Sequence, residues 1–237
     1  MMKPAPSQIR RLWRRAQTIP GVAEFRYRIY GAIAEREYDV AANGSRMILN
    51  PSIGAQKGYL RGGAEPYVID AIRRLCRPGD TFVDVGAYVG FVTLAAASVV
   101  GPSGRVIAVE PVLENAARCA RQLEINGIEH VAVETVAISD EVGEALISVD
   151  RDPAARGPDA ASSLARESGR GGTRRRVRTM TLDALCQLQG YTPSLVKVDV
   201  EGHEFAVLRG MKGLFAARKT QAIVELNHED EVPALKA

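Results

Sequence analysis

The pattern of apolar and polar positions changes character along the chain. Over residues 7 to about 40, Ile9, Leu12, Trp13 and Ala16 fall on one face and arginines on the other, which predicts helix, divided in two by Pro20 and Gly21. "RMILN" (46–50) predicts a short strand before a glycine-rich loop, and "AEPYVIDAIRRLC" (64–76) an amphipathic helix closed by Pro78 and Gly79. From residue 81 the pattern becomes regular. Strand 81–85 leads to helix 89–100, strand 105–110 to helix 112–126, which Asn126 and Gly127 end, and strands follow at 131–138 and 144–150. "RVRTMTLDALCQL" (176–188) reads as a strand entering a helix that Thr181 caps, with Asp183 in its first turn. "SLVKVDVEGHEFAVLRGM" (194–211) is another strand, turn and helix, and 220–226 is a fifth core strand.

The core strands are apolar without alternation, so they are buried on both faces. This predicts an α/β fold with a mostly parallel, doubly wound sheet and helices on either side. The expected organisation is an N-terminal helical extension with a short strand (1–57) and one α/β domain (58–237). Within that domain, 151–176 is rich in Gly, Ala, Ser, Asp and Arg and is expected to be a flexible lid or insertion.

Composition adjusts this picture only slightly. At 237 residues and 46% hydrophobic content the chain can fill one large core, and a net charge of +3 calls for no nucleic-acid partner. Positive charge gathers in "IRRLWRR" (9–15) and "GRGGTRRRVR" (169–178), which read as solvated faces or as stretches that steer an anionic partner. Cys76, Cys119 and Cys186 are scattered and odd in number, as expected of reduced core thiols. No apolar run approaches the roughly 20 residues of a membrane span. With no signal-peptide pattern at the N-terminus, a cytoplasmic protein without membrane insertion is expected.

The candidate chemistry starts at "VDVGAYVGFVTLA" (83–95), where a buried strand turns on Gly86 and Gly90 into an apolar helix. Ligands of open parallel sheets bind at this position. Glycine lets a backbone approach a ligand and helix amides can donate to it, although the same residues also serve a plain turn. Glu110 ends the next strand, 20 residues beyond Gly90, where a carboxylate can accept hydrogen bonds from ribose hydroxyls. Asp84 would face the pyrophosphate of a dinucleotide with like charge, which disfavours NAD. A ligand with an ammonium and a sulfonium and no phosphate suits the site, as in S-adenosylmethionine.

The blocks "DTFVDVGAYVGFVTLAA", "VIAVEP", "AISDEVGEA", "SSL", "TLDAL" and "VKVDVEGHEFAVLRG", in this order, resemble the FkbM family of class I methyltransferases over roughly residues 58–226. The resemblance implies a Rossmann-like S-adenosylmethionine-dependent fold and methyl transfer to a hydroxyl of a sugar, polyketide or other secondary metabolite. By position it implies that Asp84, Gly86 and Gly90, with Ala87 and Tyr88, form the methionine-side loop. Glu110 would clamp the ribose, and Ser139 and Asp140 would lie near the adenine. Glu65 resembles a family acid beside the cofactor pocket, or is an acid placed before Pro66 at a helix start. Tyr88 departs from the family's usual Asn. Only eleven residues follow the fifth strand, where class I enzymes usually add two antiparallel strands, so a shortened C-terminal edge is expected.

A hydroxyl acceptor needs a base near the fourth and fifth strand ends. His203 has the best ordinary pKa for that role, and Asp199 and Glu201 are the carboxylate candidates, Asp199 also serving the sulfonium side of the cofactor. A rival arrangement holds Mg²⁺ on Asp199, Glu225 and Asn227 for a catechol-type acceptor. Selectivity is expected from Ser162, Ser163 and Arg174–Arg176 in the lid. Two other classes stay open: a degenerate methyltransferase fold that only binds, and an NAD-dependent oxidoreductase, which lacks its Gly-x-Gly-x-x-Gly. The leading expectation is an O-methyltransferase acting on a small-molecule or glycosidic hydroxyl.

Overall fold

The computed structural model describes residues 35–40, 44–51, 54–61, 64–151, 160–163 and 173–226. Strands β1 (Arg36–Val40) and β2 (Ser45–Leu49) form an antiparallel hairpin, followed by helices α1 (Gly54–Leu60) and α2 (Pro66–Leu75). β1 replaces the last turn of the predicted N-terminal helix. "REYDV" alternates, and it turns Val40 into the core while Arg36 and Glu37 stay exposed. The rest of that helix, like the basic run 9–15, lies outside the described residues.

The central sheet contains β3 (Thr81–Val85), β4 (Arg105–Val109), β5 (Val131–Glu134), β10 (Leu195–Val198) and β11 (Gln221–Val224), in the order β11-β10-β3-β4-β5, with every neighbouring pair parallel. The chain starts at the centre, winds out through β4 and β5, and returns on the other side of β3. The carboxyl ends of β3 and β10 therefore flank the switch point, where crossover connections diverge. On one face, helix α3 (Phe91–Val100) packs with α2 over the sheet and is apolar almost all round, as a helix buried between layers must be. Helix α4 (Leu113–Ile125) also flanks the sheet, touching β5 and the hairpin strand β2. The opposite face is covered by α5 (Leu182–Gln189), α6 (Glu204–Arg209) and α7 (Lys212–Ala216), with Leu182, Leu185, Val207 and Met211 against Val83, Val85, Val196 and Val198. Thr181 caps α5 as expected, its Oγ1 accepting from the Ala184 amide at 3.1 Å.

The predicted strand 131–138 is two strands. β5 stays in the central sheet, while β6 (Ala137–Ile138) pairs with β9 (Thr173–Met180) in a second sheet ordered β6-β9-β7-β8, where β7 is Gly143–Arg151 and β8 is Ala160–Ser163. Thr173–Arg176, placed in the lid by composition, are thus the first residues of β9, held in register against β7. Ladder bonding to an apolar strand overrides the polar composition there. Residues 152–159 and 164–172 lie outside the described part.

The hairpin is fixed to the domain by two amide side chains. Gln122 and Asn126, one turn apart on α4, each exchange a pair of hydrogen bonds with the free edge of β2. Gln122 pairs with Ile48 at 2.7 and 2.9 Å, and Asn126 with Arg46 at 2.9 and 2.7 Å. The three cysteines are free and buried. Among the described residues, no helix is long and apolar enough to cross a membrane.

Candidate functional site

Parallel register sets Lys197 of β10 beside Asp84 of β3, and both side chains are buried. Asp84 Oδ2 accepts from Thr93 Oγ1 at 2.6 Å, while Oδ1 accepts no hydrogen bond and lies 3.6 Å from Lys197 Nζ. Two residues on and on the same side of the chain, Asp199 Oδ2 takes the Lys197 ammonium at 3.0 Å. Burial works against the charge on Lys197, but Asp84 and Asp199 outweigh it and push its pKa up. The Asp84 carboxyl is raised, chiefly because burial removes its hydration, with Lys197 and Thr93 pulling the other way.

Further acids crowd the same end of the sheet. Glu65 stands just before α2 in the left-handed region (φ 51), and its carboxylate meets those of Asp199 and Glu225, with oxygens all within 4.8 Å of one another. Burial raises Glu65, Glu201 and Glu225, and neighbouring carboxylates raise them further. Lys197 is the counter-charge that all of them share. This bowl carries surplus negative charge and fits a cationic ligand. A divalent metal ion would also find oxygen donors in Glu65, Asp199 and Glu225; Asn227, named from the sequence for that role, lies outside the described residues.

Beyond β4, Glu110 is almost fully buried. Its Oε2 accepts from the Tyr88 amide and its Oε1 from the Val112 amide, both at 2.9 Å. Loss of hydration pushes its pKa up to about 7, against the pull of the Val112 amide and the Asn115 side chain. The strand-end acid thereby braces the loop after β3. Gly86 and Gly90 answer to the protein itself: a Cβ on Gly86 would lie 1.8 Å from the Asp199 carbonyl oxygen, and one on Gly90 2.8 Å from Cys119 Sγ. Both have positive φ, 84° and 89°. Ala87 is buried beneath the loop, and the half-buried Tyr88 has φ 50 and a hydroxyl that accepts from Gln56 Nε2 at 3.1 Å.

Ser139, just after β6, is joined to His203, just before α6, by a 3.0 Å contact between Oγ and Nε2, and it donates to Asp140 Oδ1 at 3.1 Å. Asp140 Oδ2 holds Arg209 Nε at 2.9 Å, which lowers the Asp140 carboxyl below its ordinary value. The hydroxyl has one proton and the ionised Asp140 is its stronger acceptor, so Nε2 of His203 donates and Nδ1 keeps its lone pair. Burial lowers the His203 pKa, so the ring is neutral near pH 7. Glu201, the other candidate base, is exposed as a residue, with φ 54, while its carboxyl is partly shielded from water by the neighbouring chain.

The structure thus gathers Glu65, Asp84 and Asp199 into one group and Ser139, Asp140 and His203 into another, while Glu110, at the end of β4, braces the loop after β3. Three residues central to this geometry stand outside the sequence-derived set. Lys197 could have been found as a charge in an apolar strand two residues from Asp199. Glu204 reads as an ordinary first-turn acid, yet it is fully buried and its Oε1 accepts from the amides of Gly202 and Val200, at 2.9 and 3.3 Å. Gln56 leaves no signal in the sequence.

A doubly wound parallel sheet with acids at the first and second strand ends defines a Rossmann-like class I methyltransferase fold. A model of the methyltransferase FkbM domain matches residues 84–234, and the chain belongs to that family of S-adenosylmethionine-dependent methyltransferases. No curated protein matches it in sequence. Among solved structures it is similar to a putative rRNA-methylase from Clostridium thermocellum, at 29% identity over 30% of this chain and 40% of that one, with a TM-score of 0.29. It is also similar to an SAM-dependent O-methyltransferase from Thermotoga maritima, at 17% identity over 73% of this chain and 48% of that one, TM-score 0.43. An rRNA methylase from Streptococcus thermophilus matches at 11% identity over 72% and 76% of the two chains, TM-score 0.41. The chain spans less than half the length of the first two.

Proposed function

We propose that the protein is a cytoplasmic S-adenosylmethionine-dependent O-methyltransferase whose acceptor is a hydroxyl on a sugar, polyketide or other small secondary metabolite. The observation that carries this reading is the bowl of Glu65, Asp84, Asp199, Glu201 and Glu225 around one buried lysine, next to Glu110. Such surplus negative charge repels phosphates and attracts an ammonium and a sulfonium. When bound, the cofactor supplies an electrophilic methyl group.

The chain's own residues divide the remaining work. Glu65, Asp84 and Asp199 hold positive charge at the methionine end, with Gly86, Ala87, Tyr88 and Gly90 shaping the wall there. Glu110 receives the ribose hydroxyls, and Ser139 and Asp140 border the adenine. His203, kept neutral by burial and oriented by Ser139, accepts the acceptor's proton at Nδ1. Asp199, tied to Lys197, supports the positive charge rather than removing the proton.

Calorimetric titration tests this reading. Saturable binding of S-adenosylmethionine and no binding of NAD are expected; failure to bind S-adenosylmethionine at millimolar concentration would overturn it in favour of a binding-only module. The close approach of Glu65, Asp199 and Glu225 favours one second reading, a Mg²⁺-assisted transfer. Turnover lost in chelator and restored by Mg²⁺ selects that reading.

A further inference from the structure

We propose that Gln56 and Tyr88 form a positioning pair that holds the loop between β3 and α3 in its binding shape and locks it to the N-terminal hairpin; this rests on the S-adenosylmethionine reading of that loop. Tyr88 has φ 50. The left-handed region is unfavourable for a residue with an aromatic side chain, whereas Asn tolerates it. A tyrosine there stays in place only if surrounding contacts fix it.

Three contacts do so. The Tyr88 amide donates to Glu110 Oε2 at 2.9 Å, the residue packs against the core cluster of α2 and α3, and the hydroxyl takes a hydrogen bond from Gln56 Nε2 at 3.1 Å. Gln56 is itself fixed: it is 2% exposed, and its Oε1 accepts from the Asn50 amide at 2.8 Å. A backbone amide only donates, so the oxygen must face Asn50 and the NH₂ must face Tyr88. Asn50 directly follows β2, whose far edge is clamped by Gln122 and Asn126 of α4. One hydrogen-bonded series therefore runs from the hairpin through Gln56 and Tyr88 to the carboxylate assigned to the ribose. Neither residue needs to touch the cofactor to influence its binding.

The test compares the full-length chain with Tyr88→Phe, Gln56→Ala and the double variant, by titration with S-adenosylmethionine and by amide hydrogen exchange of residues 86–90 without ligand. Tyr88→Phe removes the hydrogen bond between the pair and is expected to weaken binding about fivefold and to speed exchange; Gln56→Ala removes that bond and also strips the Asn50 amide of its acceptor, so its losses are expected to be somewhat larger. The double variant is expected to be no worse than the weaker single by more than about twofold, because one shared contact is lost once. Tyr88→Asn is expected to bind more tightly than Tyr88→Ala, since Asn adopts the left-handed turn more readily. Wild-type affinity and exchange in Tyr88→Phe, or additive losses in the double variant, would overturn the pair. If Gln56→Ala does not fold, Tyr88→Phe and the Asn–Ala contrast decide alone. If the unaltered chain binds no S-adenosylmethionine, the cofactor reading fails, while the exchange rates still decide whether the pair holds the loop.

Discussion

Two strand-to-helix turns form the carboxyl edge of the sheet, and each places a residue other than glycine in the left-handed region: Tyr88 after β3 and Glu201 after β10. Both turns are pinned by a carboxylate that accepts backbone amides. For the first it is Glu110, 22 positions away on the neighbouring strand; for the second it is Glu204, two positions past the Gly202 amide it receives. The second turn carries its own brace and folds locally. The first depends on β4 being in place, so the acid assigned to the ribose and the loop assigned to the methionine end form one unit. The turns also touch, because Gly86 admits the Asp199 carbonyl.

The largest effect should come from that contact. Gly86→Ala sets a methyl 1.8 Å from the Asp199 oxygen and is expected to destabilise the fold by more than about 4 kcal/mol, seen as loss of a cooperative thermal transition. Gly79→Ala is the control. Its φ is also positive, at 91°, but its Cβ would meet nothing closer than Ser103 Oγ at 3.8 Å, so about 1–2 kcal/mol is expected. Equal losses would show that backbone conformation, rather than the approach of the two turns, governs the site.

Cutting each brace separates the turns. Glu110→Ala leaves the Tyr88 and Val112 amides without their acceptor, at a cost of about 2–4 kcal/mol in urea unfolding, and should speed amide exchange at 86–90. Glu204→Ala should cost about 1–3 kcal/mol and speed exchange at 200–202 alone. Exchange spreading from either variant into the other turn would contradict their independence. On the chemical side, His203→Ala is expected to keep cofactor affinity and to cut turnover on a hydroxyl acceptor by about 100-fold. Unchanged turnover would move the base elsewhere.

The smallest effect is one of pH. Burial raises the folded-state Glu110 from 4.5 to about 7, so its contribution to stability is fully present below about 4.5 and is lost as pH rises through 7. The melting temperature of Glu110→Gln should therefore fall less between pH 5 and pH 8 than that of the unaltered chain. Parallel curves would show that Glu110 does not titrate in this range.

Much of this was legible in the chain. Apolar strands without alternation gave the parallel sheet, and acids just before the glycine turn and at the end of the next strand made Asp84 and Glu110 candidates. The failures have physical causes. Composition alone assigned Thr173–Arg176 to a lid, because hydrogen bonding to β7 leaves no trace in residues that are mostly arginine. "REYDV" was absorbed into a helix, since five alternating residues are a short signal beside a long arginine-rich period.

The sequence by itself determined the alternation of core strands and helices from residue 81, the residues available for charge chemistry and the family, because periodicity and local motifs are properties of neighbours along the chain. Only the tertiary structure decided that Lys197 would answer Asp84 and Asp199, that Ser139 would orient His203, and that Tyr88 would be held from one side by Glu110 and from the other by Gln56. Those pairings join residues on separate elements, and it is the register of the strands and the packing of the helices that bring them within hydrogen-bonding distance. "VDVGAYVGFVTLA" therefore states that a turn exists, while its shape belongs to the residues that meet it from elsewhere.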